Sequence, residues 1–521
     1  MDFTNPLTLY LSIVGGLLAL VLLILLVRFF VKPSPARDSF RMAVPFFLKA
    51  RRNKKHHVFL GVSVHSRYLA AQILKEWKQE KKKKDQGGIL MVNLSNSFDK
   101  TAERKMQEEL GSRRIKLVGG RVPNAYAPSL AKAVGLEKLQ PWLSNERTSL
   151  YLFSDDKEEN ARLLTLTADD ASIKAKVFHY ASTPSEIDTL VASFGHRVRS
   201  INPHQMAFSH IKLNCPQLMP VNFVSKAVDA QGKPLGYVED GLHAWIVGFG
   251  HTGQEALRFL YEFGCFAGKD YRRAPTSFTV YDPDLDRQAG AFLQSAPFLK
   301  ADDAFRWMAE PAGTVRFWQA FENDEKVNYV VVAVDEGPRN IELGVGLLQA
   351  ALRCGRDLSR MAILVRNVKD NRQVRELIDF SNKAYCPEGT KVLYGFGDMR
   401  TIWNADVISG RRLKKASRTD PEEWEKRKAS LSGSGIPERM QLRRLQAEDI
   451  SRVLYAPTLK ALAPEGEPGK ELMKHLSAQE HLHWMSALAV TGYVNGPLDE
   501  LRRQHPKMVP YPDIPDEKVK G

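Results

Sequence analysis

Cysteine is scarce in this chain of 521 residues. There are four, Cys215, Cys265, Cys354 and Cys386, and no pair stands at C-x-x-C spacing. That excludes a disulfide framework and the usual zinc and thiol-redox motifs, and it points to a reducing compartment. H-E-x-x-H is absent, as is a Tyr-x-x-x-Lys pair after any nucleotide-type strand. No nucleophile–base pair can be named from motif, so an enzyme is not expected. Charge is missing altogether from residues 7–27. The mean hydropathy of −0.32 excludes a polytopic transporter.

What is present begins with that uncharged run. Its centre, residues 17–26, is almost pure aliphatic. About 20 such residues cross a bilayer as a helix. A cleaved signal would want a basic start and a small-x-small exit. Here the start is Met1-Asp2-Phe3-Thr4-Asn5-Pro6, so an uncleaved helix over about residues 7–31 is expected. Between Arg28 and Lys55 nine bases face one acid, Asp38. The positive-inside rule then gives a single-pass protein of the inner, cytoplasmic membrane, with its N-terminus outside and the bulk of the chain in the cytoplasm. Ser12, Gly15, Gly16 and Ala19 fall on one helical stripe. Small residues at that spacing allow close helix approach, or simply reflect membrane-helix composition.

The net charge of +15 is unevenly spread. Residues 1–55 hold nine bases and two acids, and residues 411–444 hold eleven and five. The rest is nearly neutral, so no nucleic-acid surface is expected. The expected partners are the lipid bilayer, further copies of the chain and a separate channel subunit.

The strongest soluble motif follows His243. Ala244-Trp245-Ile246-Val247 reads as a buried strand, Gly248-Phe249-Gly250-His251-Thr252-Gly253 follows, and residues 254–263 read as an amphipathic helix. Strand, G-x-G-x-x-G and helix together are the context a dinucleotide fingerprint requires. The next strand ends in Asp282, placed to accept ribose hydroxyls. Strands at 329–334 and 361–365 end at Asp335 and Arg366, with a helical stretch over 340–352. Alternation of this kind gives a parallel doubly wound sheet. A unit that keeps this fold without its ligand is the competing reading.

The preceding region repeats the plan. Gly61, Ser63 and Ser66 stand at the spacing of Gly248, Gly250 and Gly253, and Asp155 precedes Asn160 as Asp335 precedes Asn340. The chain therefore reads as α/β, with two Rossmann-like domains in tandem after the membrane helix. The boundaries are 1–55 for the anchor and basic segment, 56–215 for a degenerate first copy, 216–237 for a connector and 238–410 for the second copy. Residues 411–439 form a charged linker, and 440–521 a small, mainly α domain.

On the residues of its fingerprint, Asp282 and the Asp335–Asn340 step, the second copy resembles the TrkA-N (RCK) domains that regulate potassium channels and uptake systems. The first copy is more faintly similar. The resemblance implies a site for NAD(H) or an adenine nucleotide (ATP/ADP or a nucleotide second messenger), formed by Gly248, Phe249, Gly250, His251, Thr252, Gly253, Asp282 and Asp335. It also implies dimerisation and control of a pore. No Thr-Val-Gly-Tyr-Gly filter is present, so any pore needs another subunit or several copies of the helix.

Near the C-terminus, His481 and Trp484, then Gly492, Tyr493 and Gly496, then a proline-bearing stretch, are similar to the RyR repeat of ryanodine receptors. That makes these five residues candidate ligand contacts, with aromatic packing as the alternative for Trp484 and Tyr493. His475, His481 and His483 share no face at metal-ligand spacing, and no metal is expected. The function implied is a membrane-anchored sensor that regulates potassium-type transport or membrane permeability; a membrane-bound NAD(P)-dependent oxidoreductase is the alternative.

Overall fold

The computed structural model describes residues 54–79, 86–94, 108, 115–120, 123–124, 127–180, 198–334, 337–368, 372–403, 408, 436–463 and 469–514. The expected membrane helix, its basic flank, Asp335 and most of the charged linker lie outside them. Among the described residues no helix is long and apolar enough to cross a membrane. The chain divides into two compact units, residues 1–179 and 180–521.

Two six-stranded parallel sheets dominate. The first is built from β1 (Lys55–Leu60), β2 (Gln86–Asn93), β3 (Ile115–Gly119), β4 (Thr148–Leu152), β5 (Lys176–Tyr180) and β6 (Val198–Ile201), in the order β3-β2-β1-β4-β5-β6. Its main helices are α1 (Val64–Gln79) and α2 (Lys157–Asp169). Parallel pairing joins β1 to β2 and β4, β2 to β3, and β4 to β5.

Helix α3 (Pro203–Asn214) comes next, then a hairpin of β7 (Ser225–Val228) and β8 (Pro234–Asp240). The segment expected to be a connector thus carries ordered structure, and β8 runs past its expected end at 237. The second sheet has strands β9 (His243–Val247), β10 (Ser277–Tyr281), β11 (Phe305–Met308), β12 (Tyr329–Val332), β13 (Ala362–Arg366) and β14 (Leu393–Phe396). Its order is β11-β10-β9-β12-β13-β14, all parallel. Both sheets therefore read 3-2-1-4-5-6, the order of dinucleotide-binding folds. Every residue of β9 and β12 is buried, as central parallel strands covered on both faces must be. Trp245 anchors the core of this half, its ring against Tyr281, Phe317 and Phe321.

The helices of the second half are α4 (His251–Gly264), α5 (Leu285–Ser295), α6 (Val315–Asn323), α7 (Gly337–Arg353) and α8 (Arg372–Tyr385). Helices α9 (Ile436–Leu462) and α10 (Lys470–Ala489) form the C-terminal region. Helix α10 lies against α4 and β8 through polar contacts. Gln479, fully buried, accepts the Ala267 N–H at 3.0 Å and donates to the carbonyls of Ala267 at 2.9 Å and Gly236 at 3.3 Å. The His483 Nδ1–H donates to the Glu262 carbonyl at 2.8 Å, one of the carbonyls a helix end leaves unpaired. The Arg258 guanidinium donates to the Val490 carbonyl. Below it, Glu262 pairs with Lys212 of α3 at 2.6 Å.

Candidate nucleotide site

The crevice where the strand order reverses, between β9 and β12, is where such sheets bind ligands. The fingerprint loop crosses it, and its three glycines stand in different surroundings. Gly248 sits at φ +89, and a Cβ there would lie 2.7 Å from the Ala333 carbonyl oxygen. A Cβ at Gly253 would overlap the Gly248 carbonyl, so this glycine lets α4 pack on its own strand. Gly250, at φ −62, meets nothing within 4 Å. Two glycines close the fold and the third leaves open space beside the first turn of α4. That is the division of labour a phosphate cradle needs.

The side chain of Phe249 does not face this space. It is fully buried against Phe292 and Trp307, so its contribution is its backbone N–H, which donates to Asp282 Oδ2 at 2.6 Å. Asp282 Oδ1 accepts the Asp284 N–H at 2.8 Å. Each carboxylate oxygen keeps a further lone pair for a hydroxyl, and the carboxylate is only half-buried. Asp282 thus ties the end of β10 to the loop and remains positioned for a ribose. On the far side Asn340, fully buried, accepts the Val334 N–H at 2.8 Å and donates to the carbonyls of Val334 at 3.0 Å and Arg366 at 3.3 Å. It fixes the ends of β12 and β13 at the crevice. Thr252 is buried, and its hydroxyl lies 2.7 Å from Nδ1 of His204, the second residue of α3. His251 is exposed, with its ring centroid 5.5 Å from that of His204. His204 stands far upstream of the fingerprint and carries no motif of its own, so no sequence signal marks it.

The first copy shows the same frame with a different loop. Gly61 adopts φ +100, and a Cβ there would overlap Ser154. Asn160 pairs with both backbone groups of Ser154, at 2.8 and 2.7 Å, as Asn340 does with Val334. The loop itself is closed on its own side chains. The Ser63 N–H donates to Ser66 Oγ at 2.8 Å, the Ser66 N–H donates to Ser63 Oγ at 3.1 Å, and the Ser66 hydroxyl donates to the Ser63 carbonyl at 2.9 Å. This reciprocal cap satisfies two of the loop's amides, those of Ser63 and Ser66.

The C-terminal candidates are brought into one region, held by a carboxylate–guanidinium network. The Trp484 indole N–H donates to Glu448 at 3.1 Å, and the Tyr493 hydroxyl donates to Glu500 at 2.6 Å. Arg444 bridges the two acids, at 2.6 Å from Glu448 and 2.9 Å from Glu500. The His481 Nε2–H donates to the Val509 carbonyl at 2.8 Å. Gly492 sits at φ +98, where a Cβ would lie 2.8 Å from the Ser295 carbonyl; at Gly496 it would lie 3.0 Å from Gln504. Tyr493 and Gly492 therefore have packing reasons for their identity, and Gly496 lies close against the Gln504 side chain. His481 and Trp484 remain half-buried, with Trp484 edge-on to His505 at 4.9 Å and His481 6.0 Å from Tyr511. The three histidines of α10 go to three different surroundings: His475 stacks on Tyr271 at 4.6 Å, His481 takes Val509, and His483 takes Glu262.

The network yields a stability prediction. Arg444 is nearly inaccessible and pairs with Glu500, which is equally covered. Removing one partner of such a group strands the other's charge, at about 3–5 kcal/mol. Arg444→Met should therefore lower the urea midpoint strongly, and adding Glu448→Gln and Glu500→Gln should restore most of the loss. A triple variant as unstable as the single one would show that the charges are not the cause.

No family profile matches the chain, and no curated protein does. Among solved structures the chain is similar to "GsuK Channel" at 12% identity, covering 70% of this chain and 71% of that one, with a TM-score of 0.37. It is also similar to a UDP-N-acetylglucosamine 2-epimerase at 13% identity, covering 80% of this chain and 100% of that one, with a TM-score of 0.20. A third likeness is to Mycobacterium tuberculosis FprA in complex with NADPH, at 10% identity, covering 66% and 59%, with a TM-score of 0.14. At these TM-scores none of the three decides function, and the reading of the site rests on its own geometry.

Proposed function

We propose that this chain is a nucleotide sensor anchored in the membrane, in which the second Rossmann-like half binds an adenine nucleotide and reports its occupancy through assembly. The observation that carries the reading is the fingerprint loop: Gly248 and Gly253 are consumed by packing, while Gly250 opens onto empty space at the start of α4. Asp282 beside it supplies a ribose acceptor. The first copy, with its loop closed by Ser63 and Ser66, serves a structural role. The uncharged segment 7–27 and its basic flank support the anchor. Control of potassium-type transport, or of membrane permeability, follows from the motif resemblance to TrkA-N (RCK) domains. A ligand moves such an equilibrium only by binding one assembly state better than another.

The test is calorimetric titration of the full-length, detergent-solubilised protein with ADP, ATP and NADH, alongside an assay for NAD(P)H consumption and sizing with and without ligand. Saturable binding without turnover, with a change in assembly, is the expected result. Absence of all binding sinks the nucleotide reading, and steady hydride transfer would replace the sensor with an oxidoreductase.

A further inference from the structure

Helix α3 lies outside the second sheet's own strand–helix series, yet it runs alongside α4 in the same direction. The pairs are His204 with Thr252 at 2.7 Å, Phe208 with Phe259 at 5.5 Å between ring centroids, and Lys212 with Glu262 at 2.6 Å. Residue numbers climb together along both helices, so the two N-termini lie side by side at the crevice. The amides of α3 are already satisfied there, because Asn202 Oδ1 accepts from His204 N–H at 2.8 Å and from Gln205 N–H at 3.3 Å. What α3 brings to the crevice is therefore the His204 side chain.

We infer that His204 is a phosphate-recognition residue of the nucleotide site, acting with His251 on the distal phosphate of a nucleoside di- or triphosphate. Its Nδ1 is engaged by the Thr252 hydroxyl, at the second position of α4. When that hydroxyl donates to Nδ1, the proton of the neutral ring sits on Nε2, which becomes a donor. The ring centroid of exposed His251 lies 5.5 Å away. Both imidazoles stand at the first turn of α4, the turn that receives phosphate in this fold. A proximal phosphate is served by the loop and helix amides. A further phosphate extends beyond them and meets the imidazoles.

This inference rests on the nucleotide reading above, and the experiment separates the two. The full-length protein and its His204→Ala and His204→Gln variants are titrated with adenosine, AMP, ADP and ATP. Hydrogen bonds to charged groups are worth enough that His204→Ala should weaken ADP and ATP binding roughly tenfold or more. Adenosine and AMP should change by no more than about twofold, since neither reaches His204. Glutamine keeps a hydrogen-bonding partner for Thr252, so His204→Gln should restore any melting temperature lost in the alanine variant without restoring ADP affinity. Equal losses for all four ligands, or ADP affinity unchanged in both variants, would overturn the assignment while leaving the nucleotide reading intact. Failure of the wild-type protein to bind any of the four would overturn both.

Discussion

Gly250→Asp is expected to abolish adenine-nucleotide binding while leaving the fold intact. Position 250 has ordinary backbone angles and nothing within 4 Å of a Cβ, so the new side chain costs the folded state little. It places a carboxylate where phosphate should sit. Two like charges about 4 Å apart near a protein surface repel by about 4 kcal/mol, close to a thousandfold in affinity. Gly253→Ala is the counterpart. Its methyl group would overlap the Gly248 carbonyl, so backbone must move, a class of change that costs upwards of about 4 kcal/mol. The pair of variants is read by differential scanning fluorimetry and calorimetry together. Binding retained in Gly250→Asp would remove the site from this loop. A stable Gly253→Ala would contradict the packing of α4 on β9.

The second large effect is acid sensitivity. In the C-terminal region burial lowers the affinity of His475, His481, His483 and His505 for protons, and His505 falls from the ordinary 6.5 to about 4. Glu262, beside His483, and Glu471, 3.8 Å from His475, pull the other way without reversing the shift. Each ring therefore takes up its proton at a lower pH in the folded state than in the unfolded chain, where it protonates at its ordinary value. Below pH 6.5 the unfolded chain therefore binds more protons, and stability falls as pH drops from 6.5 toward about 4. Each ring adds at most roughly 1.4 kcal/mol per pH unit, less where solvent reaches it, as at His505. Urea midpoints measured at steps between pH 7 and pH 4.5 should decline steeply, and His505→Gln should flatten the decline. A midpoint constant across that range would show that the folded state takes up these protons freely.

Much of the frame was legible because its signals are local. Gly248, Gly250, Gly253 and Asp282 stand at spacings fixed by the geometry of one strand, one turn and one helix, so the spacing is the structure in short form. The duplication was legible for the same reason, through Gly61 and Gly248 and through Asn160 and Asn340. Three things were not. Phe249 was placed in the site by its position in the motif, but its ring belongs to the core, and alternation cannot show which way a single loop residue turns. His204 meets Thr252 only because two helices from different parts of the chain run side by side. At Gly492 the left-handed backbone and the Ser295 carbonyl already require glycine, and Ser295 is nearly two hundred residues distant in the chain.

Gln479 gives the C-terminal region a standing that its small size hides. Its carboxamide accepts from and donates to Ala267 as a neighbouring peptide group would, and it also reaches Gly236. One side chain thus adds to the main-chain pairing of the preceding half, where the Ala267 carbonyl also accepts the Val238 N–H at 3.1 Å. A protein ending before residue 436 would take the Gln479 partner from the Ala267 N–H and the Gly236 carbonyl. The last eighty or so residues are accordingly no interchangeable cassette. Transplanting the second Rossmann-like half without them would remove the partners that Gln479 and His483 supply to Ala267 and Glu262.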